Sequence, residues 1–249
     1  MRQLICLLMV MLPGNLKRLV ATRLLGWEIH PTAHIGRSLV MVDRLVMGPQ
    51  ASIGPSNTIR HLAELRMGEG ATISSRNWIV GVPTSTPVYP KHPNRDPSLV
   101  MGDFALITVG HQIDVTDRVT LGKQAAVAGF GSQILTHNLN LVTDRFQPGK
   151  VSIGDYGVLM SGCTMQNNTA IPNRSVVSAG SVVVTKLKDE LTLYRGNPAE
   201  PIRTLPDTLK FFHREGRQQQ VEEQMAQWAG EVRGGAGGAN VAMGSPDTP

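Results

Sequence analysis

The chain is poor in the groups on which most globular cores depend. Aromatic residues make up 4% of its 249 positions and charged residues 17%. A core anchored on large rings is not what this composition encodes. There are two cysteines, Cys6 and Cys163, far apart and outside any CxxC pair. That excludes a disulfide framework and suits a reducing compartment. No apolar run is long enough to span a bilayer, which takes roughly 20 residues. The run at residues 4–12 comes nearest, and no small-x-small cleavage site follows it, only Pro13-Gly14-Asn15. Net charge is +5, which favours anionic partners such as coenzyme phosphates or lipid headgroups. No nucleic-acid motif accompanies that charge, and no nucleic-acid partner is expected.

What the chain does have is a stride. Ile153, Leu159, Met165, Ile171, Val177 and Val183 fall every sixth residue. Small side chains (Gly157, Cys163, Thr169, Ser175, Ser181) sit two places before the last five of these. A period of six is neither helical nor plain strand alternation. It marks a coil of short strands in which three hexads close one turn. The same stride runs through Ile29, Ile35, Met41, Met47, Ile53, Ile59 and Leu65, and slips by two residues to Met67, Ile73 and Ile79. It resumes at Met101, Ile107, Ile113 and Val119, then slips again to Leu121, Val127 and position 133, which is Gln133 with Ile134 beside it. Glycine often follows the aliphatic position, as at Gly36, Gly54 and Gly122, where it permits backbone angles that other residues avoid. Asn57 and Asn77 take equivalent places one coil apart. A stacked amide ladder in a corner is the expectation, and a substrate contact the alternative.

The stride divides the chain. Residues 1–28 read as an apolar segment with a basic flank (Lys17, Arg18, Arg23), one or two helices over residues 3–25. They either pack on the main domain or touch the inner face of a membrane peripherally. Residues 29–203 form the coil, with loops at 80–100 and 135–151. The first loop holds Pro83, Pro87, Pro90, Pro93 and Pro97, a density that no helix or strand tolerates. Its Tyr89, Lys91, His92 and Arg95 are available to an acceptor or coenzyme, and a plain spacer is the equal alternative. Residues 204–233 read as a C-terminal helix and 234–249 as a disordered, glycine-rich tail.

A hexad repeat over residues 29–185 that ends in Ala179-Gly180-Ser181, Thr185-Lys186 and Gly196-Asn197-Pro198-Ala199 resembles the hexapeptide-repeat acyltransferases. These include galactoside, maltose, serine, xenobiotic and polysaccharide acetyltransferases. The resemblance implies an all-β fold, a left-handed parallel β-helix with N-terminal and C-terminal helices. Left-handedness comes from the resemblance alone, since parallel crossovers are normally right-handed. It also implies a homotrimer with acetyl-CoA lying between neighbouring prisms; no metal is expected, and the cysteine usage and N-terminal segment point to a cytoplasmic or inner-membrane-peripheral setting. A loop histidine would act as general base toward a sugar hydroxyl of a surface polysaccharide, lipopolysaccharide or glycan precursor.

On the matching positions, His137 in Ser132-Gln133-Ile134-Leu135-Thr136-His137-Asn138 is the base. His111 is a second candidate, either beside His137 or as a satisfied structural residue. Asp114, Asp117 and Asp144 are available to orient the rings. The coenzyme would meet Ser161, Ala179 and Gly180 through the backbone, and Thr185, Lys186 and Arg203 through side chains. One extra valine in Ser181-Val182-Val183-Val184-Thr185 departs from the family pattern and unsettles the register of Thr185 and Lys186. Two other readings remain. A catalytically silent β-helix could serve as scaffold or binding module. A zinc site would need three histidines, and His30 and His34 are the only close pair.

Overall fold

The computed structural model describes residues 2–216, and in it the hexads close into a parallel β-helix with three faces. Seven short strands make the first face, nine the second and seven the third. Except for the last, antiparallel strand of the second face, each strand pairs in parallel with the strand one coil away, so sequence neighbours sit on different faces. Inward side chains stack on their counterparts. On the second face Ile35, Ile53, Ile73, Ile107 and Val127 are in register. On the third, Ile59, Ile79, Ile113 and Ile134 line up in the same way. These residues are almost fully buried. At about 1.5–3 kcal/mol for each buried aliphatic side chain, the column supplies the fold's main drive. Backbone groups are satisfied between coils: His34 N–H donates to Ala51 O at 2.9 Å, and Ser52 N–H to Ala71 O at 2.8 Å.

The structure corrects three local readings. Val40, not Met41, is the inward residue of its strand, paired with Ile59. Ile134, not Gln133, fills the next place on the third face, opposite Ile113. The two-residue slips are not changes of phase. Leu65 and Met67 both point inward from one strand, as do Val119 and Leu121. A strand side chain recurs every second residue on one face. A longer first-face strand therefore presents two core residues and lengthens the coil without disturbing its column.

The role of the glycines also differs. Those that follow the aliphatic position do not have positive φ. The left-handed angle falls two residues later, at Gln50, Ser56, Phe104 and Tyr156. What forces glycine is close stacking of coils. A Cβ on Gly54 would lie 2.0 Å from the carbonyl oxygen of Ser74 in the next coil.

The amide ladder is present. Asn57 Oδ1 accepts from the backbone N–H of Asn77 at 2.9 Å and from its side-chain amide at 3.0 Å. Ser38 Oγ accepts the N–H of Asn57 above it. Both asparagines are buried framework residues.

Two helices, α1 (Arg2–Met9) and α2 (Gly14–Leu24), cover the first coil. Cys6, Met9 and Ala21 join the core. Lys17 is buried against the open edge of the coil, where its ammonium donates to Ile35 O at 3.2 Å and Gly36 O at 2.6 Å. Burial lowers its pKa, and the charge of Arg37 adds to that. At the other end, Thr192–Arg195 continues the second face and Glu200–Thr204 returns antiparallel to it. One compact unit runs from Met1 to His213. Where a C-terminal helix was expected from Pro206, the described residues hold only a 3-10 turn, Lys210–His213. The remainder of that helix and the tail lie outside the described residues.

Candidate active site

The second interruption of the coil is a β-hairpin rather than an irregular loop. His137–Asn140 pairs antiparallel with Arg145–Pro148. The chain leaves the third face after Ile134, turns at the buried Thr136 and starts the hairpin with His137. Because Ile134 stacks on Ile113, the turn comes level with Asp114 of the preceding coil.

Asp114 is the hub of the site. Its Oδ2 accepts from His137 Nδ1 at 2.7 Å, from the Thr136 N–H at 2.8 Å and from the Thr136 hydroxyl at 2.8 Å. Its Oδ1 accepts from the N–H and hydroxyl of Thr116 at 3.0 and 2.6 Å. Burial alone would raise the carboxyl pKa. The hydrogen bonds from His137 and Thr116, the charge of His137 and the bond from Thr136 outweigh it and hold the pKa below its usual value. The effect on His137 is reciprocal. The bond to Asp114 raises its pKa above 6.5 against a smaller opposing effect of burial. With Nδ1 committed to the carboxylate, Nε2 has no hydrogen-bond partner among the described residues. The side chain is 35% exposed. Of the other two carboxylates, Asp117 accepts the N–H groups of Asp96 and Arg118, and Asp144 lies in the hairpin turn.

The proline-rich loop folds back onto this pair. Tyr89 meets the His137 ring edge-on at 6.2 Å between centroids, and Phe146 of the hairpin meets it at 6.1 Å. Arg95 ties the loop down. Its guanidinium is buried, donates to the carbonyls of Val82, Pro83 and Thr116, and stacks 4.8 Å from the centre of the Tyr89 ring. A cleft of about 750 Å³ opens between loop and hairpin. Tyr89, Lys91, His92, Arg145 and Phe146 are among its lining residues.

His111 belongs to a different corner. It is 1% exposed, and both ring nitrogens are engaged. Nδ1 accepts the N–H of Ser132 at 3.2 Å, so Nε2 carries the proton, 2.9 Å from Thr108 Oγ1. Its own N–H donates to Asn77 Oδ1 at 2.9 Å. His111 thus continues the ladder of Ser38, Asn57 and Asn77, and Ser132 continues it to Cys163. Burial pushes its pKa down to about 4, which keeps the ring neutral. Its bonds go to this framework rather than to His137 or Asp114, the geometry of the structural alternative.

Three of the residues expected to meet coenzyme come together. Ser161 O accepts the N–H of Gly180, beside Ala179, at 2.9 Å, and Ser161 Oγ lies 3.4 Å from the N–H of Phe130. Gly129 has φ +73°, and a Cβ there would sit 1.7 Å from Ser161 Oγ. Gly110, Gly131, Gly162 and Gly180 are also left-handed, with open space where a Cβ would project. This corner is a shelf of bare backbone, a shape that suits a narrow extended ligand arm. Val183 stacks on Met165, Val184 is exposed, and Lys186 bridges to Ala170 of the first face. Thr185 and Lys186 therefore stand where the chain turns toward the first face, whereas Arg203 pairs with Leu193 on the last strand of the second.

With this geometry in hand, known proteins give a limited comparison. No protein-family model and no curated protein sequence matches the chain. Several solved structures do. The chain is similar to hexapeptide-repeat acetyltransferases. A hexapeptide-repeat-containing acetyltransferase from Vibrio cholerae is 24% identical over 44% of this chain and 64% of its own, with a TM-score of 0.41. The match thus spans under two thirds of that protein's length. The corresponding enzyme of Vibrio cholerae O1 biovar eltor, complexed with acetyl coenzyme A, is 16% identical over 83% of this chain and 86% of its own, with a TM-score of 0.45. A polySia-specific acetyltransferase is 11% identical over 82% and 85%, with a TM-score of 0.49. With every one of these TM-scores below 0.5, function has to be argued from the site itself.

Two features of that site were hard to read in the sequence. Thr116 is an ordinary threonine in a string of hexads, and only its bonds to Asp114 give it a purpose. Phe146 has no motif around it. The Thr136-His137 dipeptide at the break in the stride was the available signal. Among the described residues, no three His, Cys, Asp or Glu side chains are grouped to hold a metal ion, and His30 Nδ1 bonds Thr32 Oγ1 at 2.9 Å.

Proposed function

We propose that the protein is an acyltransferase that moves an acetyl group from acetyl-CoA to a hydroxyl of a sugar acceptor, with His137 as general base. The observation that carries this reading is the His137–Asp114 pair at 2.7 Å, with the His137 ring against Tyr89 and Phe146, two of the residues that line the cleft. Asp114 fixes the tautomer that leaves Nε2 able to accept a proton, and stabilises the imidazolium once it forms. His137 Nε2 takes the proton of the acceptor hydroxyl as its oxygen attacks the thioester carbonyl. The bond from carbonyl carbon to sulfur breaks, and the proton on Nε2 passes to the departing thiolate. Atoms and charge balance without a metal.

The acceptor fits the cleft between the proline-rich loop and the hairpin, with Tyr89 and Phe146 as apolar walls beside the base. Such rings suit the apolar face of a sugar, and Lys91, His92 and Arg145 suit one that carries negative charge. On the donor side, the shelf at Ser161, Ala179 and Gly180 suits the coenzyme's pantetheine arm. Lys186, Thr185 and Arg203 are assigned to its phosphates, Lys186 beside the first face and Arg203 on the second, so that the coenzyme would lie between neighbouring prisms. A homotrimer supplies such neighbours, and the exposed Trp78, Phe130 and Met160 are candidates for its contacts. A coenzyme A donor places the reaction in the cytoplasm. A surface polysaccharide, lipopolysaccharide or glycan precursor is the acceptor class.

The test is thiol release from acetyl-CoA in the presence of candidate sugars. His137→Ala should lower kcat by about 10²–10⁴-fold, the usual contribution of a general base. Full activity in that variant would remove His137 from the mechanism. No thiol release from any acyl-CoA would favour a silent scaffold.

A further inference from the structure

We propose that the two N-terminal helices dock the protein on an anionic lipid surface. This inference is independent of the catalytic reading. In α1, Cys6 and Met9 turn inward. Leu4, Leu7, Leu8 and Met11 turn outward and are between 52% and 80% exposed. Their spacing puts them on one face of α1 and the turn that continues it. In α2, Lys17 and Ala21 face the prism, while Leu16, Leu19 and Arg23 follow one another along the outer side. Apolar side chains of this size and number, exposed together, mark an interaction surface rather than ordinary solvent-facing protein.

The charge around them selects the partner. Residues 1–27 contain four basic side chains and no acidic one. Arg2, Lys17 and Arg18 donate to backbone carbonyls of the first coil, which are neutral and leave the positive charges uncompensated. Arg23 is exposed in the last turn of α2. Glu28, the first carboxylate of the chain, is already paired with Arg44. An apolar stripe on a segment that carries basic and no acidic side chains combines the two attractions that hold a protein on an anionic membrane surface. No helix among the described residues is long and apolar enough to cross a membrane, so these helices would lie in the interfacial plane. Packing on the first coil fixes their outer faces without a folding step on binding.

The experiment is co-sedimentation of the full chain with vesicles of mixed phosphatidylglycerol and phosphatidylethanolamine, and with vesicles of phosphatidylcholine alone. Binding is expected to the anionic vesicles and to weaken as salt is raised. The double variant Leu7→Glu/Leu8→Glu should reduce the partition coefficient by about tenfold or more, because it removes buried apolar area and adds repulsion. Arg23→Gln should reduce it by about fivefold at low salt. Both variants replace exposed side chains, so their thermal unfolding midpoints should match the wild type. Absence of binding to anionic vesicles overturns the proposal, and so does unchanged binding by the double variant. A drop in sedimentation coefficient of the double variant without lipid would also overturn it, by assigning the surface to a second copy of this chain.

Discussion

Two histidines one coil apart show how the same prism makes a girder and a reactive group. His111 sits at the corner between the second and third faces. It is sealed, bonded on both ring nitrogens, and driven toward neutrality by burial. His137 sits where the chain leaves the third face. It is bonded on one nitrogen only, half-buried, and driven toward protonation by a carboxylate. What separates them is the partner one coil away: a backbone N–H for His111, the Asp114 carboxylate for His137. In a stacked fold the chemistry of a side chain is set along the axis of the coil as much as along the chain.

The sharpest way to break that comparison is to remove the girder. His111→Ala leaves the Ser132 N–H and Thr108 Oγ1 without the ring nitrogens they bond, around a void, and should cost about 3 kcal/mol in urea unfolding. His111→Asn should keep most of the ladder, because Asn57 accepts from the Asn77 N–H in the same way one coil away. The Asn variant also isolates a pH effect. The folded ring has a pKa of about 4 against 6.5 for the free group, so the unfolded chain binds the proton first. The stability this neutral ring allows is complete above pH 6.5 and is lost as pH falls toward 4. Over that window the wild type should lose about 3 kcal/mol more than His111→Asn. Parallel acid limbs in the two proteins would show that His111 is not held neutral.

Next in size is loss of the carboxylate that distinguishes His137. Asp114→Asn keeps the shape and an acceptor for one threonine, but removes the charge. The reading of His137 as base predicts a fall in kcat of about 100-fold. It also predicts that activity in the wild type rises with pH through a titration above 6.5 and that the variant's titration moves to lower pH. A kcat loss without that shift would mean that Asp114 only positions the hairpin. The smallest effect is expected at Tyr89→Phe, which keeps the ring beside His137 and loses a hydroxyl. Its stability should change by about 1 kcal/mol or less, with the pH profile of activity unmoved.

Much of this arrangement could be read before any coordinates. Stacked aliphatic columns follow from a six-residue stride because only a coil brings such positions together, and the break in the stride pointed to His137. What escaped were matters of register. Choosing Gln133 over Ile134 as the inward residue moves the turn by one place, and the pairing of His137 with Asp114 depends on that place. Asp117 and Asp144 looked equally able to orient a ring, since no local pattern says which carboxylate lies one coil away. The glycines were placed correctly but for another reason: neighbouring backbone, invisible in a linear sequence, leaves no room for a Cβ at Gly54.

A stack of parallel coils is an unfinished ladder at both ends, and each end is a template on which another chain could grow. Lys17 changes that arithmetic at the first coil. Its ammonium occupies the carbonyls of Ile35 and Gly36, and a second prism arriving head to tail finds a buried cation in place of free acceptors. At the far end the antiparallel Glu200–Thr204 strand breaks the repeat that a copy would need to extend. The same side chain that fastens α2 to the coil thus also covers part of the edge on which an added strand would have to pair.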